Sequence, residues 1–383
     1  MRNIYKCLAV VVLLAVLGTM QVKANTTPYL QTSARAAILM DQYGQVLYAY
    51  NGDAALPMAS TTKIMTALVA LESADTELTL TIPKEAVGVE GSSAYLMEGE
   101  QLTLLTLLYA LMLQSANDAA VAIAVGLSGS VEAFVEKMNR KANALGLSHT
   151  HFTNPHGLDD PDHYTSASDL AKLTAKALQN PAFARIVSTV RYQAPVEGSD
   201  SLRLFVNHNR LLREYEGCVG VKTGYTKRTG RCLVSAAARD GITLIAVTLD
   251  DPNDWQDHKR LLDFGFSCCG SVTLSPAEGI RAEVPLVGGQ NGILHCESRG
   301  TVAVTLPQNS KTEMRIELPH FVFAGVSKGQ KMGRAVWYLN GTVIAELPLY
   351  AAEDGVMAEY PPTFWERIGQ FFMQICKFIM ELF

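Results

Sequence analysis

The chain has 383 residues, enough for two or three domains, and its 48% hydrophobic and 18% charged content is that of an ordinary globular protein. A net charge of −5, from 32 basic and 37 acidic side chains, excludes the basic footprint of a nucleic-acid binder. At the N-terminus, Arg2 and Lys6 precede an apolar run from Cys7 to Leu17, then Val22-Lys23-Ala24. That layout predicts a secretory signal over residues 1–24, cleaved after Ala24. The run is shorter than the ~20 residues a membrane span needs. No cysteine lies near the mature start, so no lipoprotein signal is expected. The later cysteines, Cys218, Cys232, Cys268, Cys269, Cys296 and Cys376, fit no zinc spacing and are expected to be mostly free, buried thiols.

AAILMDQYGQVLYAYNGD has two apolar runs around Gln42-Tyr43-Gly44-Gln45, which predicts a hairpin turning at Gly44. Residues 60–73 read as a helix, and 101–127, rich in Leu, Ala and Val, as one buried helix. Apolar positions at Val131, Phe134, Val135, Met138, Ala142 and Leu145 predict an amphipathic helix stopped by Gly146. SASDLAKLTAKALQNP reads as a helix ended by Asn180-Pro181. Residues 217–251 read as strands, and HKRLLDFGF as a short helix. Strands at both ends of a helical middle predict one α/β domain over 25–275, its sheet gathered around a helical cluster. Short alternating runs broken by Gly, Pro and Asn predict a small all-β domain over 276–352, then a linker over 353–363. In 364–383, Phe364, Trp365, Ile368, Phe371, Phe372, Ile375, Phe378 and Ile379 recur every three to four residues beside a polar stripe. Four charges, Glu366, Arg367, Lys377 and Glu381, make a spanning helix costly, so this segment is expected to lie on a membrane surface.

Three short motifs carry chemistry. Ser60 and Lys63 stand one turn apart in PMASTTKIMTAL, so their side chains meet. A cation on the first turn of a helix is poorly placed against the dipole. A serine hydroxyl needs a base to attack, and a lysine serves as one only when neutral. Burial and a second nearby lysine both favour the neutral form. Alone, Ser-x-x-Lys arises on the order of once by chance in a chain this long. The order Ser60-x-x-Lys63, Ser115-x-Asn117, Lys222-Thr223-Gly224 does not.

With PMASTTKIMTALVALE, MLQSANDAAVAIA, FTNPHGLDD and GVKTGYTKRTGRCLVSAA, that ordered set resembles the penicillin-recognising serine enzymes. It is most similar to the low-molecular-mass D-alanyl-D-alanine carboxypeptidases of the penicillin-binding protein 5 type, from about Ala36 to the C-terminus. The resemblance implies a serine β-lactamase/DD-peptidase-like fold and hydrolysis of the terminal D-alanine from peptidoglycan pentapeptide stems. It implies β-lactams as inhibitors, no metal and no organic cofactor, and export to the outer face of the cytoplasmic membrane as a peripheral protein. By the same resemblance Ser60 is the nucleophile and Lys63 its base. Ser115 relays a proton, and Asn117 holds the substrate amide and Lys63. Lys222 and Thr223 receive the terminal carboxylate, and Gly224 clears room for the peptide. The N–H groups of Ser60 and Tyr225 form the oxyanion hole. Some relatives add arginines around the Lys-Thr-Gly strand. Here His208 stands in one such region, with Arg210 close by, and TLDDPNDWQDHKR offers none in the other, so further carboxylate contacts are unassigned.

Two alternatives remain at this point. A serine β-lactamase shares the motifs, but no Glu-x-x-Leu-Asn segment is present to position its water. A non-catalytic wall-binding protein on the same fold has no need of the intact catalytic set. His151, His156, Asp159, Asp160, Asp162 and His163 cluster in a Pro- and Gly-containing loop, read as a polar loop and not a metal site.

Overall fold

The computed structural model describes residues 30–196, 201–298, 300–359 and 363–381, so the expected signal segment lies outside the described residues. Strand β1 (Ala36–Asp41) is buried throughout. Ile38 and Met40 face one apolar cluster and Leu39 faces another. Successive strand residues point to opposite faces, so β1 has protein on both sides. It turns at Gly44 into β2 (Val46–Tyr50), the expected hairpin, and pairs along its other edge with β9 (Ile242–Leu249). β8 (Gly230–Arg239) and β7 (Cys218–Thr226) complete a five-stranded antiparallel sheet in the order β2-β1-β9-β8-β7.

The helical cluster comprises α1 (Lys63–Ser73), α2 (Leu104–Leu113), α3 (Asn117–Ser128), α4 (Val131–Ala144), α5 (Ala167–Leu178) and α6 (Pro181–Ser188). Leu68, Leu107, Ile123, Phe134, Leu170 and Phe183 share one core with Ile38 and Val247 of the sheet. After the short α7 (Leu211–Glu214), α8 (Asp254–Ser267) covers the opposite face, placing Leu261 and Leu262 against Leu39 and Leu244.

The expected helix over 101–127 is interrupted. Residues 101–103 form β4 (Gln101–Thr103), paired with β3 (Thr79–Thr81), and two helices follow. Between them Ser115 takes φ +61°, the Ala116 N–H reaches Ala110 O at 3.1 Å, and the Asn117 N–H bonds Ser92 O at 2.7 Å. Apolar residues on both sides hid this break, since both helices are buried almost all round. Asn180-Pro181 does end α5, but it also starts α6: Asn180 Oδ1 accepts from the N–H groups of Ala182 and Phe183, with Pro181 at the first helical position. A hairpin of β5 (Arg191–Pro195) and β6 (Leu202–Val206) was not anticipated, and α8 begins four residues before the expected helix.

The C-terminal region is β-rich. β10 (Cys269–Thr273), which precedes residue 276, pairs with β13 (Ala303–Pro307). β11 (Ile280–Val287), β12 (Ile293–Ser298), β14 (Glu313–Glu317), β15 (Val322–Phe323), β16 (Lys331–Leu339) and β17 (Thr342–Ala351) form a sheet in the order β14-β16-β17-β12-β11-β15. Val284, Leu294, Trp337 and Leu349 give it its own core. Helix α9 (Phe364–Met380) follows, started by a reciprocal cap between Thr363 and Glu366, and none of its residues is buried. The six described cysteines are free; Cys232 and Cys296 are buried, whereas Cys376 on α9 is exposed.

One buried carboxylate ties the helix break to the loop before it. Asp118 accepts from Ser93 Oγ at 2.6 Å and from the N–H groups of Ala94 (3.0 Å), Leu96 (3.1 Å) and Ala119 (2.8 Å). Its place at the start of α3 also suits its charge. Asp118→Ala leaves those donors without an acceptor and is expected to cost ~3 kcal/mol. Calorimetry should show a Tm lower by roughly 5–10 °C; a shift within about 1 °C would mean that other contacts hold the loop.

Candidate active site

Ser60 sits on a 3-10 turn, Ala59–Thr62, that runs directly into α1. Ala59 adopts φ +48°, a conformation an L side chain resists, and its surroundings hold it there. Thr62 Oγ1 donates to Ala59 O at 2.8 Å and stands 2.7 Å from His163 Nε2. His163 Nδ1 accepts the Thr153 N–H at 3.0 Å, so its proton belongs on Nε2, facing Thr62. Burial pushes this imidazole down to about 4, so it stays neutral at pH 7. Two glycines complete the support. A Cβ on Gly157 (φ +91°) would lie 2.0 Å from Ala59 O, and one on Gly224 would meet Met58 O at 3.1 Å and Ser60 N at 3.2 Å. Gly224 thus makes room for the serine-bearing turn.

Lys63 Nζ makes three contacts: Ser60 Oγ at 2.9 Å, Asn117 Oδ1 at 2.6 Å and His156 O at 2.6 Å. Asn117 Nδ2 donates to Glu90 O at 2.6 Å, which fixes its amide with Oδ1 toward the lysine. Two of the three partners are therefore obligate acceptors and the third is a hydroxyl. A neutral amine has two N–H donors and one lone pair. Unprotonated, the lysine can satisfy Asn117 and His156 with its two hydrogens and take the Ser60 O–H in its lone pair; as an ammonium it would donate to all three. The side chain is fully buried, and that burial, then the Lys222 charge, hold Lys63 well below the ordinary lysine range, with Asp118 opposing.

Ser60, Ser115, Thr223, Gly224 and Tyr225 line one cleft of about 330 Å³, together with Ser92, His208, Arg231, Asp254 and Trp255. Thr223 and Tyr225 belong to β7, the edge strand of the five-stranded sheet. Lys222 is turned inward, 2% exposed, with Nζ on Thr223 O at 3.0 Å, and burial pushes it down to about 7.

A family model described as D-alanyl-D-alanine carboxypeptidase matches residues 21–253. The chain belongs to the D-alanyl-D-alanine carboxypeptidase family. A second model, the C-terminal domain of penicillin-binding protein 5, matches residues 283–356 of this carboxypeptidase. It is 33% identical over 340 residues to the D-alanyl-D-alanine carboxypeptidase DacF of Bacillus subtilis, covering 86% of this chain and 87% of the relative. It is also 33% identical to DacC of Escherichia coli, covering 91% of this chain and 88% of that one. Penicillin-binding protein 5 of Haemophilus influenzae superimposes with a TM-score of 0.62 at 30% identity, covering 85% of this carboxypeptidase and 98% of that chain. The family and the fold are those that the ordered motifs and the longer sequence blocks imply.

The structure brings the sequence-selected residues together. Ser60, Lys63 and Asn117 are joined by hydrogen bonds; Ser115, Thr223, Gly224 and Tyr225 share the cleft; Lys222 is close enough for its charge to act on Lys63. Sequence reasoning missed the His156 carbonyl, the His163–Thr62 brace, Asp118, and the group Arg231, Asp254 and Trp255. The loop 151–163 was set aside as a polar loop, yet it supplies two supports of the lysine and serine. Its histidines point to Thr62 and to backbone.

Burial of Lys222 has a consequence for stability. Its folded value, about 7, lies below the ~10.4 of an unfolded lysine, so the unfolded chain binds more protons between those values. Stability from this site therefore rises with pH across that window. Lys222→Met removes the buried amine. The variant should be more stable than wild type near pH 7, and its margin should shrink, by up to ~1.4 kcal/mol per pH unit, as pH rises toward 10. Denaturant melts of both proteins at several pH values check this; a constant margin would contradict it.

Proposed function

We propose that this carboxypeptidase removes the terminal D-alanine of a peptidoglycan pentapeptide stem through an acyl-Ser60 intermediate. One observation carries the reading: Lys63 Nζ stands 2.9 Å from Ser60 Oγ, buried among acceptors that suit a neutral amine. The substrate lies along the open edge of β7, with its terminal carboxylate toward Thr223. Ser60 Oγ attacks the carbonyl of the penultimate D-alanine while Lys63 takes its proton. The N–H groups of Ser60 and Tyr225 receive the developing oxyanion. The C–N bond breaks, and the proton returns from Lys63 through the Ser115 hydroxyl to the leaving amine. Water then attacks the ester, giving its proton to Lys63, and Ser60 is restored. A β-lactam opened by the same attack remains on Ser60. Burial keeps Lys63 deprotonated, and Lys222 adds to it through its field.

This reading is tested by incubation with labelled penicillin followed by mass spectrometry. Wild type should gain one adduct on Ser60, and Ser60→Ala should gain none and release no D-alanine. Lys63→Arg puts a permanent cation where the neutral amine stood and offers no base, since arginine stays protonated. Its acylation rate should fall by at least ~10³-fold. A loss under about tenfold, roughly 1.4 kcal/mol, would remove Lys63 from the role of base.

The domain layout supports export and peripheral attachment. Residues 1–24 have signal-peptide composition, residues 25–275 hold every catalytic residue, and 276–352 form a β-rich domain joined by 353–363 to the amphipathic helix. On that helix Trp365, Phe371, Phe372 and Phe378 are each more than 60% exposed, an apolar surface suited to a membrane interface. Among the described residues no single helix is long and apolar enough to cross a membrane. Ending the chain at Ala358 should move the enzyme from the membrane pellet to the supernatant while kcat/KM on small D-Ala-D-Ala peptides stays within about twofold. A truncated protein that is insoluble, or inactive on small peptides, would mean that the helix packs on the body of the enzyme.

A further inference from the structure

The carboxylate end of the substrate needs a cation it can reach. Lys222, the residue the motif suggests, is 2% exposed and bonded to the Thr223 carbonyl. It is absent from the lining of the cleft, whereas Arg231 is part of that lining. Arg231 stands on β8 directly opposite Tyr225 of β7, so the hairpin brings it beside the Thr223-Gly224-Tyr225 edge. Its side chain is 42% exposed, and the arrangement around it is built. Arg231 Nη2 holds Asp254 Oδ1 at 2.9 Å, and that carboxylate is itself 4% exposed. The guanidinium carbon lies 5.7 Å from the Trp255 ring centre, with Arg210 at 5.4 Å from the same ring. Arg231 Nε is buried and has no hydrogen-bond partner among the described residues. Asp254 uses only part of a five-donor fork, and a guanidinium matches a carboxylate with two parallel N–H bonds. His208, the other basic residue in the lining, is pushed below the ordinary imidazole range by burial and by the Lys222 charge.

We propose that Arg231, and not Lys222, bonds the C-terminal carboxylate of the substrate and selects chains that end in a free acid. This rests on the acyl-Ser60 reading and adds its specificity determinant. Asp254 and Trp255 are positioning residues that hold the fork toward Thr223. Lys222 is left as the buried charge that acts on Lys63.

The test uses the full chain and two acyl-D-alanyl thiolesters, one whose leaving group ends in a carboxylate and one in its methyl ester. The readout is the ratio of kcat/KM for acid over ester, which a purely structural role of Arg231 would not move. In Arg231→Gln this ratio should fall about 10–100-fold, mostly through KM of the acid. Arg231→Lys keeps a charge against Asp254 but loses the fork, and should give a ratio between the two. If Arg231→Gln is insoluble, Arg231→Lys decides alone: an unchanged ratio overturns the proposal. It is equally overturned if Arg231→Gln keeps the wild-type ratio while Lys222→Ala abolishes it. Wild-type protein that turns over neither thiolester and takes no penicillin on Ser60 would instead contradict the acyl-Ser60 reading, and this assignment with it.

Discussion

A fully buried lysine amine with no carboxylate among its hydrogen-bond partners in the described residues is the constraint on which the rest of the site depends. Lys63 meets a hydroxyl, a side-chain carbonyl and a backbone carbonyl. Taking an ammonium out of water without a paired anion is costly, and a buried lysine relieves that cost by losing its proton. In the proposed mechanism this is how the fold makes the base: burial, with no paired anion among the described partners, lowers the lysine. The apolar helix α1 supplies the burial, and the start of α3 supplies Asn117. The 151–163 loop supplies the His156 carbonyl. Asp118, next to Asn117, is the nearby anion that opposes the effect, yet it is committed to four donors of its own.

Ser60, the proposed nucleophile, is held with the same economy of space. Backbone atoms of Met58, Ala59 and Ser60 occupy the volumes that side chains on Gly157 and Gly224 would need. Edge strand β7 is thus pressed against the turn that carries Ser60. The Thr62–His163 brace fixes a backbone conformation that Ala59 would not choose alone. A serine displaced by about 1 Å from its base would lose much of the rate.

Much of this was legible in the sequence, for identifiable reasons. The hairpin at Gly44, the amphipathic helix before Gly146 and the strands of 217–251 each had one clear period and a clear stop. The three motifs were readable because each is short and local, and their order is what chance does not supply. What stayed hidden was tertiary. The break at 114–116 lies inside a continuous apolar run, and only the Ser92 carbonyl and the Asp118 carboxylate show why the chain departs from a helix there. Asn180-Pro181 carries the signals of both a stop and a start. Arg231 lies eight residues beyond Thr223, a spacing without meaning until β7 and β8 fold into a hairpin. The 151–163 loop was recognised by its composition, but its supporting role depends on a backbone carbonyl, which no side-chain pattern reveals.

The protonation state of Lys63 in the resting enzyme is the point on which this account stands, and it is measurable directly. Protein carrying 13C at the lysine ε position can be titrated by NMR, with the Lys63 signal assigned by its absence in the Lys63→Arg spectrum. The account predicts an inflection well below the ordinary lysine value near 10.4, shifted upward when Lys222 is replaced by methionine. A Lys63 signal that titrates in the ordinary range, and does not respond to loss of Lys222, would contradict it.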